Sequence, residues 1–575
     1  MYKRQIVDYQ KLEEKIIKNI REKFWDKGEE IVSNNIEAIK KVDLYLKQIN
    51  YDNNYKEINK KSQTIFDLIK ERKGDTIPVS KFMDIMDGSF ECGTSKLEKR
   101  KTSEFVPSWI NSNCIECNQC SFVCPHSVIR PFILNEKEYN DSPEYIKEKC
   151  KKMLGKENMY FILGISIKDC TGCGLCIKTC PSKEKALISK NIDIELRNNV
   201  QEIYDYLDKN ITYKPIFNKY TVKGSQFKQS KFCFPGACAG CGETAYIKIL
   251  TQLFGENLII ANATGCSSIY GGSIPSIPYS LPWMNSLFED NAEFGFGILN
   301  ANNYIRTRIK NIMENNLEGK NKELFTEWLN NYDDYEITKK VYNLIDYNET
   351  KELLELKDYI PSRTVFMIGG DGWAYDIGYS GIDHVLASNQ NVNILVLDTE
   401  VYSNTGGQSS KSSRIGSIAS FTSDGKKQNK KDLARLALSY PNVYVAQISI
   451  GANYNQILKV FNEAASYNGP SIIIAYSTCI SHGIKGGMNN SLDMSKMAVE
   501  CGFFPLFHYN PTEKKLYLDY KEPNFDLYEE FLNKQTRFSM LKTINKEKSE
   551  ELLLKNKQNS IERFNYYKKL SEKTN

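Results

Sequence analysis

The stretch "TVFMIGGDGWAYDIGYSGIDHVLASNQNVNILVLD" (residues 364–398) decides the fold. It holds two short apolar runs, a glycine-rich turn after the first run, and a helical pattern between them. Short apolar runs bounded by turns predict buried strands. Further along, "VYVAQISI" and "SIIIAYST" repeat the pattern, with helical segments between. Strands that alternate with helices predict the α/β class, with a doubly wound, mostly parallel sheet.

The turn "GGDG" (369–372) joins the first strand to the helix. A glycine-rich turn at the start of a helix presents backbone N–H groups to a diphosphate. Asp371 offers a hard oxygen ligand for Mg²⁺. Thr399 follows the next strand, and doubly wound sheets bind ligands where their strands end. These residues alone leave one alternative open. The glycine turn could simply begin a helix, without binding a cofactor.

Two cysteine runs precede the sheet, "CIECNQCSFVCP" (114–125) and "CTGCGLCIKTCP" (170–181). Each has the spacing C-x-x-C-x-x-C-x-x-x-C-P, in which three thiolates bind one 4Fe–4S cluster and the fourth binds the other. Gly172 and Gly174 let backbone N–H groups approach the cluster. Zinc is the alternative, but zinc sites rarely use this duplicated spacing. The predicted crossed sets are Cys114, Cys117, Cys120 with Cys180, and Cys170, Cys173, Cys176 with Cys124.

Composition narrows the class of protein. The 575 residues include 76 Lys and Arg against 71 Asp and Glu, a balance that predicts no nucleic-acid partner. No apolar run is long enough for a membrane span, and the first residues resemble no secretory or transit signal, so we predict a cytoplasmic protein. The 16 cysteines are clustered, which favours metal ligation over disulfides. The isolated Cys92, Cys150 and Cys501 are predicted to be small core residues.

Patterns along the chain predict four regions. Residues 1–70 form a helical segment, the end of an upstream domain, and residues 71–108 form a linker. A small α+β domain with two clusters spans 109–225. The sheet domain spans 226–575, with a helical insertion at 301–360 and a C-terminal surface helix.

A further C-x-x-C pair lies in "FCFPGACAGCGETAY" (232–246). Cys238 and Cys241 offer two ligands where a cluster needs four. The pair alone is compatible with three interpretations. It could bind a cluster together with ligands from distant parts of the chain, act as a redox dithiol, or have no chemical role.

Several segments resemble the C-terminal half of the pyruvate:ferredoxin (or flavodoxin) oxidoreductase family. The resemblance covers about residues 28–541. The segments are "CIECNQCSFVCPHS", "NATGCSSIYGG", "NSLFEDNAEFGFG", "GGDGWAYDIG" and "DTEVYSNTGGQSSK", with "KGEEIV", "IPVSKF" and "GTSKLEKR" matching the family's linker. The resemblance implies oxidative decarboxylation of pyruvate to acetyl-CoA and CO₂. It implies thiamine diphosphate, Mg²⁺, three 4Fe–4S clusters, coenzyme A as co-substrate, ferredoxin or flavodoxin as acceptor, and a homodimer of the complete enzyme.

The resemblance also implies site residues. The third cluster falls on Cys238, Cys241, Cys266 and Cys479, with Cys233 as a competing ligand. Mg²⁺ falls on Asp371, Thr399 and the carbonyl of Val401. Asn404 faces the reacting carbon, and His384 and His482 have core or capping roles. The thiamine contacts fall on Glu243, Gly370, Gly372, Trp373, Thr399, Glu400, Val401, Tyr402, Ser403 and Asn404, beside Cys241 and Cys266.

Two departures from the family limit these expectations. The family's carboxylate that activates thiamine lies in a domain N-terminal to the matched part, so we expect a fragment or one part of a split enzyme, inactive alone. The loop within "PSIPYSLPWMNSLFED" (275–290) is shorter than in the family. The alternatives are a non-catalytic iron–sulfur electron-transfer subunit and a related oxidoreductase for another 2-oxo acid.

Overall fold

The computed structural model describes residues 9–25, 28–41, 44 and 64–573. The chain forms two compact units that divide between Ile77 and Pro78. The described helices of the first unit are α1 (Tyr9–Phe24), α2 (Glu29–Lys41) and α3 (Ile65–Lys70). At the start of α3, Thr64 and Asp67 form a capping box that satisfies backbone N–H groups. The rest of the predicted helical segment lies outside the described residues.

The second unit begins with two 3₁₀ turns in the predicted linker, Val79–Ile85 and Thr94–Leu97. The segment after them is packed rather than free. Lys99 Nζ lies 2.8 Å from a carboxylate oxygen of Asp169, in the cysteine-rich part. The guanidinium of Arg100 donates a 2.8 Å hydrogen bond to Ser276 Oγ, in the sheet part. This segment therefore contacts both parts that it was expected only to connect.

The cysteine-rich part is built on two small antiparallel sheets, one of β1 and β5 and one in the order β2-β4-β3. Aromatic and aliphatic residues such as Phe161 and Ile165 fill the core beneath the cysteine loops. The strands are β1 (Phe105–Trp109), β2 (Ile129–Asn135), β3 (Lys151–Lys152), β4 (Met159–Ile165) and β5 (Leu187–Asn191). The helices are α4 (Gln119–Phe122), α5 (Glu136–Asn140), α6 (Glu144–Lys147), α7 (Leu175–Thr179), α8 (Ile192–Arg197), α9 (Val200–Asn210) and α10 (Val222–Phe227).

An eight-stranded sheet forms the centre of the rest of the chain, in the order β13-β12-β10-β11-β9-β8-β6-β7. The six strands from β10 to β7 are parallel, and β12 and β13 are antiparallel at one edge. Every residue of β6, β9, β10 and β11 is buried, as expected for parallel strands covered on both faces. The strands are β6 (Leu258–Ala263), β7 (Trp283–Ser286), β8 (Thr364–Gly370), β9 (Asn393–Asp398), β10 (Tyr444–Ser449), β11 (Ser471–Tyr476), β12 (Phe507–Asn510) and β13 (Lys515–Leu518).

Helices cover both faces of this sheet and make two hydrophobic cores. The C-terminal helix buries Leu552, Phe564 and Tyr567, so only part of its surface faces solvent. The helices are α11 (Thr244–Phe254), α12 (Cys266–Gly272), α13 (Asn291–Glu314), α14 (Lys322–Asn330), α15 (Tyr335–Leu344), α16 (Lys351–Leu356), α17 (Tyr379–Ala387), α18 (Leu433–Ala437), α19 (Tyr454–Ser466), α20 (Ser491–Glu500), α21 (Tyr528–Asn533), α22 (Thr536–Ile544) and α23 (Lys546–Lys573).

The predicted α/β class with a mostly parallel sheet is confirmed. The four strands predicted from apolar runs are β8, β9, β10 and β11. The turn at Gly370 leads into a π-helix over Gly372–Ile377, which precedes α17. Within the part of the chain that the structure describes, no helix is both long and apolar enough to cross a membrane.

The helical insertion has a small core of its own, separate from the cores of the sheet. Trp328 on α14 is fully buried there, and its indole N–H donates a 2.9 Å hydrogen bond to the carbonyl of Ile360.

Replacing Trp328 with alanine removes the largest side chain of this core and one of the two donors to the Ile360 carbonyl, the other being the Arg306 guanidinium at 2.8 Å. We expect a loss of about 3–5 kcal/mol in local stability. Hydrogen exchange should rise over residues 301–360 while the strands of the sheet keep their protection. Leu344→Ala is the control, because Leu344 is 56% exposed. Faster exchange throughout the sheet would contradict a separate core.

Candidate cofactor and iron–sulfur sites

The candidate site lies at one edge of the sheet, where four neighbouring parallel strands end. The strands β11, β9, β8 and β6 are adjacent in that order, so their carboxyl ends share one edge. Ligands bind at this edge in doubly wound sheets. The residues that follow the four strands are Cys479, Thr399, Asp371 and Cys266 respectively.

Three oxygen donors converge after β8 and β9. Thr399 Oγ1 lies 2.9 Å from a carboxylate oxygen of Asp371 and 2.9 Å from the carbonyl oxygen of Val401. Ser410 Oγ donates a 2.6 Å hydrogen bond to the other oxygen of Asp371. A carboxylate, a hydroxyl and a carbonyl are the hard ligands that Mg²⁺ prefers. The set of donors fits this cation.

Among the described residues Asp371 forms no ion pair, although the charge of Lys430 acts on it. Asp371 is 1% exposed, and the ion pairs of this region reach Asp398 and Glu400 instead. Burial and the charge of Asp398 raise the pKa of the Asp371 carboxyl, while hydrogen bonds from Ser410 and Thr399 oppose the rise. A bound divalent cation would supply the missing positive charge.

The glycine turn leaves space beside these donors. A Cβ on Gly370 would meet no protein atom closer than 3.9 Å, so packing does not require glycine there. Gly372 is different, because a Cβ would come within 2.5 Å of the Tyr402 ring. The ring of Trp373 is fully buried in the core, which leaves only its backbone for a cofactor contact. The open space at Gly370 fits a diphosphate bound to the cation.

The segment from Thr399 to Asn404 follows β9 and lines the same edge. Tyr402 donates a 3.0 Å hydrogen bond to Asp376, and Asn404 is exposed at the surface. Behind the segment, His482 Nε2 lies 2.6 Å from the Thr399 carbonyl. Burial lowers the pKa of His482 to about 3, so the neutral ring donates this hydrogen bond. His482 thus has a structural contact, and His384 lies exposed in the last turn of α17.

Glu400 points away from the oxygen donors, into a buried network of charges. Its carboxylate lies 2.8 Å from Arg414, 2.9 Å from Arg537 and 3.1 Å from Lys430. Burial raises the pKa of Glu400, but the three cations outweigh it and hold the pKa well below its usual range. Glu400 also has a left-handed backbone, with φ of 59°. Its side chain therefore anchors the segment, and only its backbone remains for the cofactor.

The two cysteine runs of the sequence surround two cavities in the crossed pattern. One cavity is lined by Cys114, Cys117, Cys120 and Cys180. A second cavity, of about 440 Å³, is lined by Cys124, Cys170, Cys173 and Cys176. Among the described residues, no three His, Cys, Asp or Glu side chains are grouped to hold a single metal ion. Four thiols around the space of the second cavity fit a multi-iron cluster.

Two distant parts of the chain are joined at the third group of cysteines. The Gly242 N–H donates a 3.1 Å hydrogen bond to the Thr478 carbonyl, and a Cβ on Gly242 would lie 2.4 Å from that oxygen. Glycine is therefore required for the loop of Cys238 and Cys241 to reach Cys479.

The four thiols of this third group act on one another. Burial raises the pKa of Cys266, and Glu243, Cys241, Cys479 and Cys238 raise it further. Cys266 therefore lies within electrostatic range of the other three cysteines predicted for a third cluster.

This third group touches the oxygen site directly. Cys479 Sγ lies 3.3 Å from Ser403 Oγ, in the segment that carries Thr399 and Val401. On the other side, Glu243 is buried and accepts a 2.8 Å hydrogen bond from the Tyr270 hydroxyl. Burial raises the pKa of Glu243 to about 7. The oxygen donors and the third group therefore form one continuous site.

Comparisons with known proteins agree with this arrangement. Family models match residues 354–475 ("Thiamine pyrophosphate enzyme, C-terminal TPP binding domain"), 113–184 ("4Fe-4S dicluster domain") and 60–103 ("Domain of unknown function"). A pyruvate:ferredoxin oxidoreductase of Moorella thermoacetica is 42% identical over 95% of this chain and 50% of its own length. A pyruvate-flavodoxin oxidoreductase of Enterobacter agglomerans is 43% identical over 88% of this chain and 45% of its own.

Most of the chain is thus similar to these pyruvate:ferredoxin and pyruvate-flavodoxin oxidoreductases. The chain spans about half the length of these curated relatives. Among solved structures, a 2-oxoglutarate:ferredoxin oxidoreductase from Magnetococcus marinus is similar at 18% identity, over 43% of this chain and 65% of that one. Its TM-score of 0.29 is too low to carry an argument.

The remaining cysteines of the chain lie outside the three groups. Cys233 is buried in the cysteine-rich core, and its thiol donates a 3.3 Å hydrogen bond to the Ser230 carbonyl. The charged groups near it are Lys96, Asp208 and Arg130, none of them a cluster cysteine. The prediction that Cys92 is a core residue is wrong, because Cys92 is exposed.

Sequence reasoning missed Ser410 and the three cations around Glu400. Ser410 lies eleven residues beyond Thr399 in "GGQSSKSS", and a serine-rich stretch predicts only a turn. Arg414, Lys430 and Arg537 are far apart along the sequence, and nothing in their neighbours indicates that they share a carboxylate.

Replacing Glu400 with glutamine leaves the buried Arg414 and Arg537 without a counter-charge. We expect the chain to lose about 3–5 kcal/mol of stability, the usual cost of breaking a buried ion pair. Thermal unfolding of the apoprotein measures the loss. The matched control is Glu530→Gln, whose ion pair with Lys534 is exposed and contributes at most about 1 kcal/mol. Equal melting temperatures for the two variants would contradict the anchoring role of Glu400.

Proposed function

We propose that the chain holds thiamine diphosphate with Mg²⁺ and three 4Fe–4S clusters. In this proposal it carries the cofactor-binding and electron-transfer part of the oxidative decarboxylation of pyruvate to acetyl-CoA and CO₂. The observation that supports the proposal is the contact between Cys479 and Ser403, because Cys479 is a proposed cluster ligand and Ser403 belongs to the segment proposed to hold the diphosphate. Electrons released at the cofactor then need only a short step to leave it.

Each group of residues has a distinct task in this proposal. Asp371, Thr399 and the Val401 carbonyl hold Mg²⁺, and the space at Gly370 receives the diphosphate. Thiamine, when bound, supplies the electron sink for decarboxylation. Glu243, kept largely protonated by burial up to about neutral pH, borders the site and can donate a hydrogen bond.

The contacts between the cysteine groups support an order for the relay. Burial raises the pKa of Cys173 to about 11, and backbone N–H groups of Leu175 and of Gly240, in the loop of the third group, oppose the rise. His126 bridges the same two loops, with 3.1 Å to the Ala237 carbonyl and 3.3 Å to Thr171. In the proposed order, electrons pass from the cluster at Cys266 to the cluster at Cys170 and then to the cluster at Cys114.

Ferredoxin or flavodoxin would accept the electrons from the last set, as the names of the relatives suggest. We further propose that turnover of pyruvate with coenzyme A needs the regions of the relatives that this chain does not match, within a homodimeric cytoplasmic enzyme. The choice of pyruvate over another 2-oxo acid is part of the proposal.

Calorimetry of thiamine diphosphate binding to the anaerobically purified chain tests the cofactor site. We expect binding that requires Mg²⁺ and is weakened about 100-fold in Asp371→Asn, because an amide replaces the charged metal ligand. Asp383→Asn is the control, since Asp383 accepts a 3.0 Å hydrogen bond from Tyr440 and is not among the oxygen donors of the site. Binding that is indifferent to Mg²⁺ and to Asp371 would favour a non-catalytic electron-transfer subunit.

Replacing Cys266 with alanine tests the third cluster. The variant should lose about one third of its iron and one of three sets of spectroscopic signals, because a single four-iron cluster has lost a ligand. Cys233→Ala should keep all of the iron. If Cys266→Ala lost every cluster signal together, or none, the assignment of the third group would be wrong.

A further inference from the structure

Helix α11 contains one buried ammonium group in an otherwise apolar stretch. Its sequence "TAYIKILTQLF" has a single charged residue, Lys248, and the side chain is 1% exposed. Lysine is almost never fully buried unless its charge is paired. A buried cation without a counter-charge costs several kcal/mol.

Lys248 reaches out of the sheet part to helix α4. Its Nζ donates hydrogen bonds to the carbonyl oxygens of Ser121 and Phe122, the second at 2.7 Å. These two residues lie between Cys120 and Cys124, which belong to different cysteine sets. The ammonium group is therefore held where the two ferredoxin-type sets face each other.

No carboxylate among the described residues forms an ion pair with Lys248. Burial lowers its pKa to about 8, and the thiols of Cys124, Cys120 and Cys233 are the groups that oppose this. Two buried carboxylates of the sheet part have cationic partners: Glu400 has three, and Asp398 has Lys430. The buried Lys426 also donates only to carbonyls, but the carboxylates of Asp376 and Glu400 act on it. The groups that favour the charged form of Lys248 are therefore cysteines, so we expect its counter-charge to be supplied there.

We propose that Lys248 is a fixed positive charge shared by the two ferredoxin-type clusters, and that it raises the reduction potentials of both. This inference rests on the proposed function, because it requires clusters in the sets of Cys120 and Cys124. Lys248 is a tuning residue that acts through the clusters. It contacts neither substrate nor thiamine.

The physical basis is the charge of a cluster with four thiolates. Such a cluster is an anion, and it becomes more negative when it accepts one electron. A nearby buried cation stabilises the reduced form more than the oxidised form, and burial keeps salt from screening the attraction. Net charge and hydrogen bonds set the potentials of these clusters.

The third cluster group is expected to respond much less. The charged groups that act on Cys266 are Glu243 and the other three thiols of its own set. Lys248 would therefore make the two later clusters better acceptors relative to the first. Electron transfer away from the thiamine site becomes more favourable as a result.

The test is a redox titration of the cluster-loaded chain with dithionite, followed by electron paramagnetic resonance. Lys248→Met removes the charge with little change in volume, and Lys248→Arg keeps it. We expect Lys248→Met to shift two of the three cluster potentials to lower values and leave the third nearly unchanged. Lys248→Arg should restore the wild-type values.

Two further variants separate charge from structure. Lys248→Gln keeps a hydrogen-bond donor for the α4 carbonyls but not the charge, so it should shift the same two potentials. Lys426→Met is the matched control: Lys426 is also buried and donates to two carbonyls, those of Ser410 and Ser413, but no cysteine lies among its charged neighbours. Its cluster potentials should equal those of the wild type.

The outcomes distinguish the inference from the function on which it rests. Wild-type potentials in a fully iron-loaded Lys248→Met or Lys248→Gln chain would overturn the role of Lys248 alone. A downward shift confined to the third cluster would overturn it as well. Absence of cluster signals from the wild-type chain would refute the proposed function and this role together.

Discussion

The parallel pairing of β6, β8, β9 and β11 is the constraint on which the candidate site depends. Their register sets Tyr476 opposite Asp398 and Gly370 opposite Leu397, so the strands end at nearly the same level. The loops after them carry a cysteine, two oxygen donors and a second cysteine, in spatial order across the sheet. A shift in register of any one strand would separate the oxygen donors from the sulfur ligands. The cofactor site and the first electron acceptor thus share one structural support.

Buried charges indicate which groups the protein has to bind. Glu400 is surrounded by three cations, so it needs nothing from outside and serves to anchor a loop. Asp371 is equally buried and has only hydroxyl groups as donors, whereas Lys248 has only backbone carbonyls as acceptors. Because an isolated buried charge is costly, a cation is expected at the first and an anion at the second. Mg²⁺ and the clusters have these charges.

Whether the sequence predicts which residues share a site depends on how far apart those residues lie along the chain. The sets of Cys114 and Cys170 come from short runs, where spacing alone determines which thiols can share a cluster. Cys266 and Cys479 meet only through the sheet, so resemblance to a family was needed to group them. The strands β7, β12 and β13 were missed, since each is only four residues long. The side-chain direction of Glu400 could not be predicted either, because its partners come from three distant segments.

In the sequence, Lys248 is recognisable as a lone charged residue in an apolar helix. The position of α11 in the structure shows which groups this charge lies against. The loop of Cys238 and Cys241 leads directly into this helix, and Lys248 follows Cys241 by seven residues, about two turns. One end of the helix therefore lies at the third cysteine group. The next turns lie against α4, which connects the other two cysteine groups. In between, the Tyr246 hydroxyl donates to the Tyr476 carbonyl at the end of β11 and accepts from the Ile450 N–H. In the proposed relay, this single helix would therefore set both the position of the third cysteine group and the charge near the other two.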